Sequence, residues 1–68
     1  MVERRLKTRL FELEPDLKKL SRLLGISISE LYRIREGKRG IGEQVIISAL
    51  TAFPRRKFEE LFYIERQN

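Results

Sequence analysis

The sequence predicts an all-α fold of about five short helices, and three observations carry that prediction. Apolar residues recur at helical spacing. No stretch of four or more residues alternates with period two between turn signals. The candidate helices are also fenced by residues that start and stop helices, with Asp16 and Ser27 placed as N-caps and Pro15, Gly25, Gly37 and Pro54 as stops. At 68 residues the chain is expected to be one domain over 1–68, since two would be hard to stabilise.

The first helix is read from Val2, Leu6, Leu10 and Leu13, one stripe at i, i+4, i+8 and i+11. Pro15 stops it, because the residue before a proline is pushed out of the α region. Asp16 then caps a second helix, its carboxylate accepting backbone N–H groups that lack intrahelical partners. Leu17, Leu20 and Leu24 form its apolar side, Ser21 keeps that side small, and Gly25 ends it.

The third helix opens at once. Ser27 as N-cap with Glu30 three residues on makes a reciprocal capping box, and Ile26 and Leu31 are placed as a hydrophobic staple. Leu31 and Ile34 point inward, and Gly37 closes the helix. A glycine-bearing loop, Lys38 to Gly42, leads into a fourth helix with Val45, Ile46, Ala49, Leu50 and Phe53 on one side. A short fifth helix, about Lys57 to Ile64, buries Phe58, Leu61 and Phe62, and the polar tail 65–68 is expected to fray.

Composition narrows the function. The chain has no Cys and no His, which removes disulfides, thiolate ligands, the usual general base and the commonest metal ligand. So small a chain has little room for a water-excluding pocket, so neither an enzyme nor a metal or other cofactor is expected. No apolar run approaches the roughly 20 residues of a membrane span, and the N-terminus lacks the apolar segment of a secretory signal. Cytoplasm is the expected compartment.

The formal charge is +5, and its placement says more than its size. Residues 1–17 and 40–68 are each balanced. Between 18 and 39, seven basic residues stand against Glu30 and Glu36 alone, so the whole excess lies in one third of the chain. A solvated basic face and a footprint for a polyanion both fit.

The second and third helices are joined by only Gly25-Ile26-Ser27, a connection that forces a tight crossing and needs a small residue, Ser21, at the contact. Over LKKLSRLLGISISELYRIREGKRG, Leu17 to Gly40, the chain resembles the helix-turn-helix domains of the phage repressor and Cro-like family. The flanking stretches IGEQVIISALTAFP and KFEELF resemble that family's last two helices. The resemblance implies a five-helix, lambda-repressor-like domain with the helix-turn-helix at about 16–37. It also implies binding of operator DNA, usually as a dimer, with the third helix in the major groove. Two positions depart from the family pattern. Leu17 stands where a phosphate-contacting glutamine is frequent, which shifts that role to Lys18. Arg35-Glu36 stands where a glutamate is frequent, so the family's ion pair to the first helix would be inverted, Arg35 facing Glu12 or Glu14.

With Leu31 and Ile34 turned inward, Ser29, Tyr32 and Arg33 face outward and Ile28 lies at the flank. Arg33 suits a bidentate contact to guanine, Ser29 most base edges, and Ile28 a thymine methyl. Tyr32 suits a phosphate or an apolar base contact. The bland alternative makes Ile28 and Tyr32 satellite core residues and Arg33 ordinary surface. Lys18, Ser27, Lys38 and Arg39 are the candidate phosphate contacts.

Off-stripe apolar residues Phe11, Ile47, Tyr63 and Ile64 are candidates for a homodimer interface, formed at least on DNA. The expected function is sequence-specific double-stranded DNA binding by a transcriptional regulator, acting as a repressor, with no small-molecule substrate. The alternative is an antitoxin-like or other protein-interaction module that uses the same fold. A basic membrane-surface helix does not fit, because the basic residues sit on short capped helices rather than one long amphipathic one.

Overall fold

The computed structural model describes residues 3–67, the side chains of Glu3 and Gln67 excepted, so Val2 and Asn68 lie outside the described residues. In chain order the elements are β1 (Glu3–Thr8), α1 (Leu10–Leu13), α2 (Leu17–Leu24), α3 (Ile28–Arg35), α4 (Glu43–Ala52), α5 (Phe58–Leu61) and β2 (Phe62–Gln67). The two strands pair antiparallel, Leu6 opposite Ile64 and Thr8 opposite Phe62. The all-α expectation is therefore overturned: five helices stand, but the two ends of the described chain form a two-stranded sheet.

The physical reason lies in what the end segments bury. The predicted first helix gives way to β1 and the short α1. The predicted fifth helix ends at Leu61 and continues as β2. Side chains alternate between the faces of a strand, so Leu6, Thr8, Phe62 and Ile64 share one face of the ribbon. That face delivers Phe62, 1% exposed, into the core, with Leu6 packed against it. Residues spaced four apart along a helix would bury the same stripe, but the strand pairing also ties the two ends of the described chain to each other across the core. The expected fraying tail is likewise corrected, since Glu65 and Arg66 pair with Arg5 and Arg4.

A local device joins ribbon to helices. The Arg9 N–H donates to the Leu61 carbonyl at 2.8 Å, and the Thr8 hydroxyl donates to the same carbonyl at 3.0 Å while accepting from the Leu10 N–H at 3.1 Å. The end of β1, the start of α1 and the end of α5 thus meet at one oxygen and one hydroxyl.

The core is a single cluster. Leu10, Leu20, Leu24, Ile26, Leu31, Ile34, Val45, Ala49, Leu61 and Phe62 are buried in it, so all five helices, the turn between α2 and α3, and β2 contribute. Among the described residues no helix is long and apolar enough to cross a membrane.

Candidate nucleic-acid interface

The α2–α3 pair is built by the caps the sequence places there. The Asp16 carboxylate accepts from Lys18 N–H at 2.9 Å and Lys19 N–H at 3.4 Å, opening α2. Gly25 ends α2 with φ 68°, a left-handed conformation that a side chain would strain. The Ser21 hydroxyl donates to the Ile26 carbonyl at 2.5 Å. This small polar residue therefore both permits the approach of the helices and locks the turn between them.

Ser27 caps α3 by accepting from the Glu30 N–H at 3.2 Å. Only that half of the expected reciprocal box forms. The Glu30 carboxylate turns instead to Arg39, 2.6 Å from its Nε. The carboxylate is the less exposed partner, and a charge-assisted contact to a guanidinium outcompetes a bond to one backbone N–H. Gly37, with φ 75°, then turns the chain back after α3.

Burial divides α3 cleanly. Leu31 and Ile34 are buried, whereas Ile28, Ser29, Tyr32 and Arg33 are exposed, Ile28 the least of the named large apolar residues there at 36% and Tyr32 at 45%. All four predicted base readers thus share the outer side of one helix, and neither Ile28 nor Tyr32 is a core residue. The Arg35 guanidinium lies 4.7 Å from the centre of the Tyr32 ring, which holds the ring by a cation–π contact. No described ion pair joins Arg35 to Glu12 or Glu14; the inverted pair expected from the departure at Arg35 gives way to this stacking.

The predicted phosphate contacts are exposed and lie on three separate pieces of backbone. Lys18 sits in the first turn of α2, Ser27 at the N-cap of α3, and Lys38 and Arg39 in the loop after α3. Lys38 pairs with Glu36 at 3.4 Å, both well exposed, a contact weak enough for a phosphate to displace. The hydroxyl of Ser27 is engaged as an acceptor and keeps its own hydrogen to donate.

The four candidate interface residues at the other end do not form one patch. Tyr63 and Ile64 are consecutive on β2 and point to opposite faces of the ribbon. Tyr63 is half-buried with the Arg9 guanidinium 4.5 Å from its ring centre, and Phe11 packs against the core. Ile64 and Ile47 remain exposed, at 58% and 55%.

Sequence reasoning gave Arg5 no geometry and did not single out Lys7. Arg5 and Lys7 of β1 line the same cavity, of about 460 Å³, as Arg35 and Arg39. No local pattern could reveal this, because residues 7 and 39 come to line one cavity only through pairings that span the chain. Among the described residues no group of three or more His, Cys, Asp or Glu side chains could hold a metal ion. No family model, curated protein or solved structure matches the chain.

Proposed function

We propose that the chain is a sequence-specific double-stranded DNA-binding transcriptional regulator of the phage repressor and Cro-like kind, acting in the cytoplasm as a repressor and reading the major groove with α3. The observation that carries this reading is the row of Ile28, Ser29, Tyr32 and Arg33, exposed on a capped helix whose other side, Leu31 and Ile34, is buried. A helix serving only the core could carry any solubilising residues there. This row has a guanidinium for a guanine edge, a hydroxyl for most edges, and two apolar groups for thymine methyls or sugar.

The surrounding charges support the same reading. Lys18, exposed at the start of α2, and Lys38 and Arg39, exposed in the loop after α3, would fix the register of the helix on phosphates without reading sequence. The excess of positive charge in 18–39 supplies the long-range attraction for a polyanion. In this reading the protein has no catalytic task and needs no cofactor.

One α3 of eight residues spans too few base pairs to find a site in a genome, so two protomers on a near-palindromic site belong to the proposal. Of the candidate interface residues, Ile64 and Ile47 are the ones exposed for that contact.

Selection of bound sequences from random duplex DNA tests the reading. A recurring motif, bound at least about a thousandfold more tightly than scrambled duplex at physiological salt, is the expected result. Enrichment of no motif, with weak binding equal on all duplexes, would overturn it and leave the protein-interaction alternative.

A further inference from the structure

β1 has a partner strand on one side only. The bond from Arg9 N–H to the Leu61 carbonyl continues the register of the ribbon, and the Phe62 N–H bonds back to Phe58 rather than across to Thr8. Bonded and non-bonded pairs alternate along an antiparallel ladder. Lys7–Tyr63 is therefore a bonded pair, while Leu6–Ile64 and Thr8–Phe62 are non-bonded ones. It follows that the N–H and C=O groups of Leu6 and Thr8 turn away from β2, along the free edge of β1. Among the described residues no backbone group bonds to them.

That edge opens on the 460 Å³ cavity. Four consecutive β1 residues, Arg5 to Thr8, line it, but only Tyr63 does so from β2; the facing wall is the end of α3 and the following loop. The lining has two characters. Phe11, Ile34 and Ile41 are apolar, whereas Arg5, Lys7, Arg35 and Arg39 are cationic, and no carboxylate lines the cavity. Among the described residues Lys7 makes no ion pair.

We propose that this cleft takes an extended segment of another protein, alternating acidic and apolar residues, which adds as a third strand to the free edge of β1. Outward backbone groups on an edge strand are a template for strand addition, in which main-chain bonds give affinity and alternate side chains give specificity. Charge complementarity selects the occupant. Arg5 and Lys7 share one face of β1, so carboxylates at alternate positions of the added strand stand beside them. The residue between those carboxylates falls on the Leu6 face, where an apolar side chain continues the half-buried surface. A basic strand is disfavoured by Lys7, which makes no described ion pair. The inference does not depend on the DNA reading.

The test uses the full chain, isotope-labelled, titrated with acetyl-Glu-Val-Glu-Val-Glu-amide, with its lysine counterpart, and with sodium glutarate at matched carboxylate concentration. Amide shifts and hydrogen exchange at Leu6 and Thr8 are followed. The acidic peptide alone should saturate, and it should slow exchange at both amides by at least about tenfold. Lys7→Glu should weaken it by roughly threefold to tenfold, and Lys7→Gln by less, since each cross-strand charge pair contributes modestly. Binding of the lysine peptide, shifts reproduced by glutarate, saturation without protection at both amides, or no effect of Lys7→Glu would each overturn the proposal. So would an absence of binding; the cations would then only guard the edge against self-pairing.

Discussion

The Glu30 carboxylate stands 2.6 Å from the Arg39 Nε and ties the loop after α3 to the first turn of that helix. One residue of the pair is a proposed phosphate contact and the other lies within a turn of the proposed base readers. The pair holds the loop in place, but its carboxylate also competes with any phosphate for Arg39. Glu30→Gln should therefore raise affinity for cognate and random duplex alike, by about twofold to fivefold at low salt. Its cost to folding should be under about 1 kcal/mol, as for other exposed pairs. Arg39→Ala should weaken both duplexes and reduce the slope of log affinity on log salt by about 0.9. Fluorescence anisotropy across a salt series measures all three. Unchanged affinity in both variants would remove Arg39 from the phosphate contacts.

Arg33→Ala should behave differently. It should cost about 1–3 kcal/mol on the selected site and far less on random duplex, because a bidentate guanine contact exists only on the right base. Equal losses on both would make Arg33 another phosphate contact.

Leu31 is 1% exposed and Ile34 8%, and both anchor α3 to the core. Leu31→Ala should cost about 2–5 kcal/mol, through lost burial and the cavity left behind. In a domain this small that approaches the whole stability, so thermal melts should show a marginal or unfolded chain. Ser21→Ala, which removes only the bond to the Ile26 carbonyl, should cost about 0.5–1.5 kcal/mol. A stable Leu31→Ala variant with unchanged melting would contradict this core.

The ribbon gives its own test. Phe62, 1% exposed on β2 and stacked on Phe58 with ring centroids 5.1 Å apart, should cost about 3–5 kcal/mol when cut to Ala. Infrared spectra of the intact protein should carry an antiparallel strand band beside the helical one. The band's absence would restore the all-helical reading.

On DNA, Ile64→Asp should lower cooperative occupancy of a near-palindromic site while leaving the melting temperature nearly unchanged, since the side chain is 58% exposed. Tyr63→Asp is the contrast, because it also breaks the contact with Arg9 and should lower stability. Sedimentation of the complex counts protomers. A tight specific complex with one protomer on a non-palindromic site would sink the dimer.

Local chemistry determined the centre of this protein. Asp16, Ser21, Gly25 and Ser27 act on neighbours within five residues, so the α2–turn–α3 unit and the outward row on α3 were legible from spacing alone. The ends were not. Leu6 and Leu10 fit a helical stripe, yet one sits on a strand and the other on a helix, both against the same core. The run Leu61-Phe62-Tyr63-Ile64 carried a strand signal, rich in aromatic and β-branched residues, but a short apolar run does not distinguish strand from buried helix by periodicity. What decided it is a pairing between residues about sixty apart, Leu6 with Ile64, which the fold of the intervening helices brings together. The same closure brings Lys7 and Arg39 to the lining of one cavity, and the fold of the loop after α3 turns Glu30 toward Arg39. Contacts within a turn of the chain follow from sequence; those that cross the molecule were settled by tertiary packing, because only there do distant segments compete for the same backbone and charge partners.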